Sequence, residues 1–374
     1  MTSDMFESKV KDLEKKSYKI CDSLLSKPLV VLPAGRFYRL SIRVLDMWGI
    51  RTDFLTDSNP SKTSIIWKYK GRDYIPQITD EFVKKMGNSV NYIITSRPFR
   101  EEIKNQLLIK GIEPGNIFYM PVRLGDLVST SSFRRRYEIK KAFGEIEKAC
   151  NMLDDEESKN ELWTLMAIFY ANAPVWIESI PSEEYFNTPY LKIGQGEVFV
   201  DAGMFDGGTS EMFAKLYPNY DSIYGIEANP MNMEVISKRL NEYRDVKIYN
   251  NALCNTTDFI RFQREGIGPE GAKVSENGEI VVKGMRGDDM DITPTFIKFD
   301  IEGAEYDALL SFEKTIKKCR PKMAVSAYHS LEDHWRLILL IKRICPEYKL
   351  YMKHHYGYED LYGTILYASI ESKD

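Results

Sequence analysis

The stretch EVFVDAGMFDGGTSEMF, residues 197–213, decides the fold of this chain. An apolar run typical of a buried strand ends at Asp201, a loop with three glycines follows, and an amphipathic run begins after the loop. Nucleotide-binding α/β folds use this order of strand, loop and helix. The glycines stand at positions 203, 207 and 208, however, and not in the GxGxxG spacing of a dinucleotide site. The stretch therefore predicts a nucleotide-related ligand without identifying it.

The same strand–loop–helix unit recurs downstream and predicts a mostly parallel sheet with helices on its faces. Because the last two strands follow each other without a helix between them, we expect them to pair antiparallel. The runs FIRFQ and EIVVKGM frame a Gly-rich turn and predict an inserted hairpin. The predicted strands are 197–202, 222–227, 246–251, 295–300, 322–328, 349–354 and 363–369, and the predicted helices are 209–217, 230–243, 305–317 and 332–345.

A chain of 374 residues is long enough for two or three domains. A second set of strands and helices precedes the first, and a run of apolar residues at three- and four-residue intervals joins the two sets. We predict an N-terminal helix at 1–26, a Rossmann-like α/β domain at 27–125, a helical connector at 126–184 and the main α/β domain at 185–374.

Composition narrows the class of protein. The net charge of −4 does not favour a nucleic-acid partner, and no apolar stretch reaches the length that spans a bilayer. The five cysteines are scattered without a CxxC pair, which is typical of the reducing cytoplasm. We expect a cytoplasmic protein, and a homodimer is one candidate assembly.

Polar residues follow the predicted strands of the main domain. Ligands of an open parallel sheet bind beyond the carboxyl ends of its strands, so these residues are candidates for one site. They are Asp201 with the loop from Gly203 to Gly208, Glu227 with Asn229, Asn251 with Ala252, Asp300 with Glu302, and Tyr328 with His329.

The charges near the glycine loop favour one kind of ligand. Glu227 at the end of the second strand suits a ribose with two free hydroxyls. Asp201 and Asp206 make the loop acidic, which repels a pyrophosphate and attracts a sulfonium, so the prediction is S-adenosylmethionine and not NAD. The alternative is that the polar residues only cap helices, with Asp206 and Thr209 as N-caps.

Six segments of the main domain resemble successive motifs of the FkbM family of S-adenosylmethionine-dependent methyltransferases, over about residues 185–370. The resemblance implies a class I methyltransferase fold, with a seven-stranded sheet whose last strand is antiparallel, and O-methylation, commonly of sugars in glycans, polysaccharides or natural products. The segments are VFVDAGMFDGGTS, YGIEANP, NNALCNTTD, FIKFDIEGAEYDAL, VSAYHSLEDHW and KHHYG…YGTILYAS.

The resemblance also implies roles for single residues. The amino-acid half of the cofactor would lie against Asp201 and Gly203, the ribose against Glu227, and the reacting methyl near Asp300. Two positions depart from the family pattern, Gly287 before Asp288 and Gly363. The complete set of candidate cofactor-binding residues is Asp201, Gly203, Asp206, Gly207, Thr209, Glu227, Asn229, Asn251, Ala252 and Asp300.

Methyl transfer to a hydroxyl needs in-line positioning and a base that removes the hydroxyl proton. His329, just past the fifth strand, is the first candidate for that base, and Asp300 and Glu302 are its rivals. No residue is assigned to a metal, because the four histidines show neither HExxH spacing nor a cysteine pair. Mg²⁺ held by Asp300, Glu302 or Glu305 is the alternative, since carboxylates are its ligands.

The loop PAGRFYR of the first domain resembles the GAGxxG turn of Rossmann-like domains, but Pro33 and Tyr38 replace two of its glycines. It predicts either a degenerate nucleotide site, with Arg36, Arg39 and Asp57 as contacts, or a structural domain. The leading hypothesis is thus an S-adenosylmethionine-dependent O-methyltransferase acting on a sugar, glycan or nucleotide-sugar. The alternatives are an NAD-dependent oxidoreductase and a non-enzymatic nucleotide-sugar-binding module that assists a glycosyltransferase.

Overall fold

The computed structural model describes residues 3–35, 38–96, 99–120, 132–171, 182–264, 272–274, 278–356 and 362–371. The chain divides into two compact units. The first contains residues 1–140, 164–179 and 357–361, and the second contains 141–163, 180–356 and 362–374. Of the connector predicted at 126–184, residues 141–163 belong to the second unit and residues 164–179 to the first. The domain bounds given above stay a prediction.

The first unit is built on a five-stranded sheet of order β5-β2-β1-β6-β7, in which each strand pairs parallel with its neighbours. Residues of β1 alternate between two apolar clusters, Leu29 and Val31 in one and Val30 and Leu32 in the other, because successive side chains point to opposite faces of a sheet. The elements are α1 (Ser3–Leu25), β1 (Leu29–Leu32), α2 (Tyr38–Met47), β2 (Phe54–Asp57), β3 (Trp67–Tyr69), β4 (Arg72–Tyr74), β5 (Gln77–Ile78), α3 (Thr79–Met86), β6 (Asn91–Ile94), α4 (Arg100–Ile109), β7 (Ile117–Tyr119) and α5 (Ser132–Lys141).

Sequence patterns did not predict β3, β4, β5 or α3, which fill the segment between β2 and β6. The hairpin of β3 and β4 is short, and only Trp67 and Tyr74 of its residues are buried. Such a hairpin lacks the alternating apolar pattern by which a strand is recognised.

The second unit contains a seven-stranded sheet of order β10-β9-β8-β15-β16-β18-β17, in which β18 pairs antiparallel with both neighbours and the other pairs are parallel. This confirms the predicted class I methyltransferase fold. The elements are α6 (Phe143–Asn151), α7 (Glu156–Tyr170), β8 (Val198–Ala202), α8 (Gly208–Leu216), β9 (Ser222–Ile226), α9 (Met233–Leu240), β10 (Val246–Tyr249), β11 (Ala252–Leu253), β12 (Phe259–Arg264), β13 (Ala272–Val274), β14 (Ile280–Met285), β15 (Phe296–Phe299), α10 (Glu305–Ser311), α11 (Glu313–Cys319), β16 (Lys322–Ser326), α12 (Asp333–Ile344), β17 (Lys349–His354) and β18 (Thr364–Ser369). Of α7, residues 156–163 belong to this unit and the rest of the helix to the first unit.

An aromatic cluster holds helix α8 against this sheet. Phe199 of β8 stacks on Phe213 of α8 with ring centroids 4.3 Å apart, and on Phe296 of β15 with centroids 5.1 Å apart. All three rings are fully buried. The packing fixes the direction in which the glycine loop leaves β8, and so positions the site.

The predicted hairpin insertion is also present. Strand β12 pairs antiparallel with β14, and β11 and β13 extend these two strands to a four-stranded sheet. Its Gly-rich turn at 265–271 lies outside the described residues. The helix predicted at 305–317 is instead two helices, because Phe312 between them leaves helical geometry while its ring packs on Phe299.

Candidate functional site

Strands β8, β9 and β15 end at one edge of the seven-stranded sheet, next to the position where strand order reverses between β8 and β15. A cavity of about 440 Å³ lies there, which suits a ligand of drug or cofactor size. It is lined by Gly203, Phe205, Ile226, Glu227, Ala228, Asn229, Asn232, Asn251, Ala252, Leu253, Cys254, Asn255, Thr256, Ile260, Ile280, Asp300, Ile301, Glu302, Ala304 and Asp307.

Gly203 lets two strand ends approach closely. Its φ is +85°, and a Cβ at this position would lie 1.8 Å from the backbone oxygen of Asp300. No side chain fits there, so a glycine is required on steric grounds as well as for its φ. The resulting close packing of the loops after β8 and β15 forms the floor of the cavity.

Asp201 does not line the cavity. It is fully buried, where its Oδ1 lies 2.9 Å from Nζ of Lys298 and its Oδ2 accepts a 2.7 Å hydrogen bond from Ser210. Nζ of Lys298 also donates to the backbone oxygen of Gly203 at 2.7 Å. The pair therefore holds the backbone of the glycine loop in place, and the cofactor contact expected of Asp201 stays a prediction.

Lys298 is a site-supporting residue that sequence reasoning missed. Burial alone lowers the pKa of this ammonium, but the carboxylates of Asp201 and Asp300 outweigh burial and raise the pKa above its ordinary value of 10.5. The lysine is thus charged. A lysine within the apolar strand FIKF was the signal that could have identified it, because lysine is almost never fully buried unless it is paired.

The second carboxylate of the glycine loop is also paired. Oδ2 of Asp206 lies 3.0 Å from a guanidinium nitrogen of Arg239, and Oδ1 accepts a hydrogen bond from the backbone of Gly208. Asp206, Gly207 and Thr209 are not among the cavity-lining residues. The argument that Asp201 and Asp206 make the loop acidic is therefore wrong, since a buried lysine and an arginine balance the two charges.

The cavity is nevertheless acidic for a different reason. Four of its lining residues are carboxylates: Glu227, Asp300, Glu302 and Asp307. Among the described residues that line it there is no lysine, arginine or histidine. The lining also includes an apolar part, with Ile226, Leu253, Ile260 and Ile280 among its members. A ligand that combines an apolar ring system with a positive charge suits these surroundings.

Glu227 is held in place by the backbone around it. Its Oε2 accepts a 2.9 Å hydrogen bond from N of Phe205, and its Oε1 accepts one of 2.7 Å from N of Asn229 and one of 3.3 Å from Nδ2 of Asn232. Burial raises the pKa of this carboxyl above its ordinary value, and the backbone hydrogen bonds oppose the rise. Glu227 lines the cavity, and its role as a ribose ligand stays a prediction.

Asn229, Asn251 and Ala252 also line the cavity. Oδ1 of Asn229 accepts from N of Met231 and caps a short helical turn, while Nδ2 of Asn251 donates to the backbone oxygen of Lys283. Both amides are therefore anchored by one hydrogen bond each.

Asp300 lies where two tyrosines converge. The hydroxyl of Tyr185 donates to Oδ2 at 3.1 Å, and the hydroxyl of Tyr328 donates to Oδ1 at 3.0 Å. Burial, followed by the charge of Asp300, raises the pKa of both phenols above the ordinary value of 10, so both remain donors. Sequence reasoning missed Tyr185, which lies 115 positions from Asp300 along the chain.

His329 lies beneath the cavity and does not line it. Nδ1 is 2.9 Å from Oε1 of Glu305, and Nε2 is 3.6 Å from Oδ1 of Asp300 and 3.7 Å from Oε2 of Glu302. Burial lowers the pKa of this imidazole, but the three carboxylates outweigh burial and raise the pKa to about 9. The general-base role expected of His329 stays a prediction.

The two departures from the family pattern have structural explanations. A Cβ at Gly287 would lie 2.2 Å from the ring of Phe312, so the fold leaves no room for an apolar side chain. The neighbouring Asp288 accepts hydrogen bonds from the backbone of Lys314 and Thr315 and caps α11. Gly363 has a φ of +81°, which favours glycine over an acidic residue.

In the first unit, Asp57, one of the residues expected at a nucleotide site, is paired with a lysine of the same unit. Nζ of Lys62 lies 3.1 Å from Oδ2 of Asp57 and donates to the backbone oxygen of Ala34. The cavity next to Pro33 measures only about 20 Å³, room for about one water molecule. Arg36 lies outside the described residues.

Among the helices of the described residues, none has the length and apolar character needed to cross a membrane.

Residues 201–359 match the family model of the methyltransferase FkbM domain. Along the whole chain, the structure is similar to methyltransferase FkbM from Methylobacillus flagellatus KT, with 19% identity, a TM-score of 0.64 and 98% of each chain covered. More distant similarity, over 47% of this chain, is found to precorrin-6y C5,15-methyltransferase from Geobacter metallireducens GS-15 (14% identity, TM-score 0.31, 80% of that chain) and to fibrillarin from Aeropyrum pernix (14% identity, TM-score 0.31, 67% of that chain). No curated protein matches the sequence significantly.

Proposed function

We propose that this chain, whose residues 201–359 match the family model of the methyltransferase FkbM domain, is an S-adenosylmethionine-dependent O-methyltransferase. The proposed acceptor is a hydroxyl of a sugar, glycan or nucleotide-sugar. The observation that carries the proposal is the cavity at the ends of β8, β9 and β15, with four carboxylates and no cationic side chain among its described lining residues.

The residues around the cavity fit an adenosyl-amino acid. Glu227 presents a carboxylate whose remaining lone pairs can accept hydrogen bonds from the 2′- and 3′-hydroxyls of a ribose. The apolar residues Leu253 and Ile280 offer surfaces for a flat base. Gly203 brings bare backbone to the cavity floor, where an amino-acid group can hydrogen-bond to it. A sulfonium is favoured by the excess of carboxylates, whereas a pyrophosphate is not.

Bound S-adenosylmethionine would supply an electrophilic methyl group. Asp300 is the residue of this chain best placed to act on an incoming hydroxyl, because it lines the cavity and because Tyr185 and Tyr328 fix its two oxygens. Orienting the acceptor oxygen accounts for much of the rate of such in-line displacements. Asp300 contributes further to the rate of methyl transfer by accepting the hydroxyl proton.

The sugar class rests on the FkbM resemblance and on the surface near Tyr328. The ring of Tyr362 packs edge-on against Tyr328 with centroids 5.5 Å apart, and about 44% of Tyr362 is exposed. Tyr356, which is 39% exposed, lies beside the backbone of Gly363. Exposed aromatic faces with hydroxyl groups at their edges suit the apolar faces and polar rims of pyranose rings.

Calorimetric titration of the purified chain with S-adenosylhomocysteine, with NAD⁺ as the comparison ligand, tests the cofactor. We expect saturable micromolar binding of S-adenosylhomocysteine and none of NAD⁺. Binding of NAD⁺ alone contradicts the proposal and supports the oxidoreductase hypothesis instead.

Acceptors are then screened with S-adenosylmethionine and a panel of nucleotide-sugars and glycans, by the release of S-adenosylhomocysteine. Turnover with a hydroxyl-bearing sugar and none with its deoxy analogue supports the acceptor class. Turnover confined to acceptors without sugar hydroxyls contradicts it while leaving the methyltransferase assignment intact.

A further inference from the structure

Beside the cavity, the imidazole of His329 lies among three carboxylates of the segment 300–305. Asp300 and Glu302 follow strand β15, Glu305 begins helix α10, and His329 follows strand β16. Asp300, Glu305 and His329 each present a ligand atom, and these atoms lie within 4.8 Å of one another. Atoms bound to one metal ion at distances near 2.1 Å lie no further than about 4.2 Å apart, so small side-chain rotations bring this set into a coordination sphere.

Buried polar atoms in this cluster lack partners. Glu305 is fully buried, and its Oε2 has no hydrogen-bond partner among the described residues. Nδ1 of His329, whose side chain is 8% exposed, lies at ion-pair distance from Glu305, but its N–H does not meet hydrogen-bond geometry. A buried carboxylate oxygen without a partner destabilises an apolar interior. A cation that binds this oxygen would remove this destabilisation.

The cluster also has an excess of negative charge. The negative charge of the Asp300, Glu302 and Glu305 carboxylates is larger than the positive charge that the single imidazole of His329 can carry. The nearby cation Lys298 is already paired with a fourth carboxylate, Asp201. A divalent ion balances the remaining charge, whereas the protein provides no further cation among the described residues of this cluster.

Backbone strain at the same place supports a site of this kind. Glu302 has a φ of +57°, a left-handed conformation uncommon for residues other than glycine, and Gly303 next to it has a φ of +100°. This conformation turns the chain between Asp300 and Glu305, so that Glu302 also faces His329. The strain thus brings a fourth potential ligand to the rim of the cluster.

We propose that Asp300, Glu305 and His329 bind a divalent transition-metal cation, with Glu302 as a further carboxylate at the rim. Two carboxylates with one imidazole suit Mn²⁺, Fe²⁺ or Zn²⁺ better than Mg²⁺, which prefers oxygen ligands alone. Because Asp300 also lines the cavity, an ion here lies next to the acceptor side of the proposed methyltransferase site. The metal inference rests on the proposed function only for this last step, the use of the ion beside an acceptor.

Mn²⁺ is the probe, because the electron paramagnetic resonance signal of the free aqueous ion disappears on binding. The full chain is treated with chelator, dialysed and titrated with Mn²⁺. We expect one saturable site per chain, with an affinity that falls at least about tenfold in His329→Ala and in Glu305→Gln. Glu313→Gln, a surface carboxylate of α11 paired with Lys317, is the matched control and should bind Mn²⁺ like the wild type.

Absence of saturable Mn²⁺ binding to the wild type overturns the metal site. Equal affinity in the wild type and in folded His329→Ala or Glu305→Gln overturns it as well. Should both variants fail to fold, nuclear magnetic resonance of the wild type decides, because Mn²⁺ at this site broadens the imidazole resonances of His329 most among the four histidines. Broadening centred on another histidine contradicts the proposal.

S-adenosylhomocysteine is titrated into the same metal-free preparation, which separates the two proposals. Binding of S-adenosylhomocysteine without binding of Mn²⁺ removes the metal site and leaves the methyltransferase cofactor site in place. Binding of Mn²⁺ without S-adenosylhomocysteine supports the metal site and contradicts the proposed function.

Discussion

Replacement of Glu227 by glutamine tests the cofactor site at the residue whose surroundings are defined most completely. Each carboxylate oxygen accepts a backbone hydrogen bond, Oε2 from Phe205 and Oε1 from Asn229. Glutamine has one carbonyl oxygen, so its amide nitrogen must face one of these two N–H groups. One buried donor then loses its partner, which costs about 1–3 kcal/mol of folding free energy.

The same substitution removes the charged acceptor for the ribose hydroxyls. A hydrogen bond to a charged group contributes about 1.5–3 kcal/mol, which corresponds to a factor of roughly 10 to 150 in a dissociation constant. We therefore expect the Kd for S-adenosylhomocysteine to rise roughly 10- to 150-fold in Glu227→Gln, as measured by calorimetry, together with a lower Tm.

An analogue of S-adenosylhomocysteine without the 2′-hydroxyl shows whether the loss of binding affinity comes from the ribose contact. The effects of Glu227→Gln and of the missing hydroxyl should not add, since both remove the same hydrogen bond. Asp307→Asn is the matched control, because it removes another cavity-lining charge that we assign no ribose contact. A lower Tm with an unchanged Kd would refute the ribose role and leave Glu227 a purely structural residue.

Three further outcomes follow from the geometry. Lys298→Met leaves the buried carboxylate of Asp201 without its partner cation. The free energy of unfolding should therefore fall by about 3–5 kcal/mol in denaturant titrations. An unchanged midpoint of unfolding contradicts the pairing. Gly203→Ala places a Cβ 1.8 Å from the backbone oxygen of Asp300 and should abolish calorimetric binding of S-adenosylhomocysteine, whereas Gly194→Ala, whose Cβ meets nothing closer than 4.0 Å, should bind normally. Burial lowers the pKa of His355 from 6.5 to about 4. Between these two pH values the unfolded chain therefore binds more protons than the folded chain. The free energy of unfolding that is present above pH 6.5 should fall by about 3 kcal/mol as the pH drops to 4. Thermal melts of His355→Gln should show a flatter pH dependence over this window, and an equally steep one contradicts the assignment.

Much of the second unit could be predicted from local patterns. Each of its seven main strands was predicted from an apolar run, and the missing helix between the last two strands indicated their antiparallel pairing. The short elements between β2 and β6 escaped prediction, because two- and three-residue strands carry too few positions to establish a period.

The candidate site could be predicted only in part. Glu227, Asn251 and Asp300 line the cavity as expected, because residues that directly follow parallel strands must meet at one edge of a sheet. Asp201 follows a strand in the same way, yet its side chain points to a lysine and away from the cavity. Position along a strand determines where the backbone of a residue lies, but the partner of its side chain depends on the neighbouring strand.

The sequence by itself determined the succession of strands and helices, the glycine at the loop after the first strand of the second unit, and the polar strand ends. These features depend on residues close together in the chain, whose spacing and conformational preferences act locally. Only the tertiary structure decided which charged side chains of the site are paired and with which partners. Lys298 lies 97 positions from Asp201, and Tyr185 lies 115 positions from Asp300. Such partners meet only when the sheet has formed. A pairing between distant residues produces no periodic pattern in the sequence, so local patterns could not predict it.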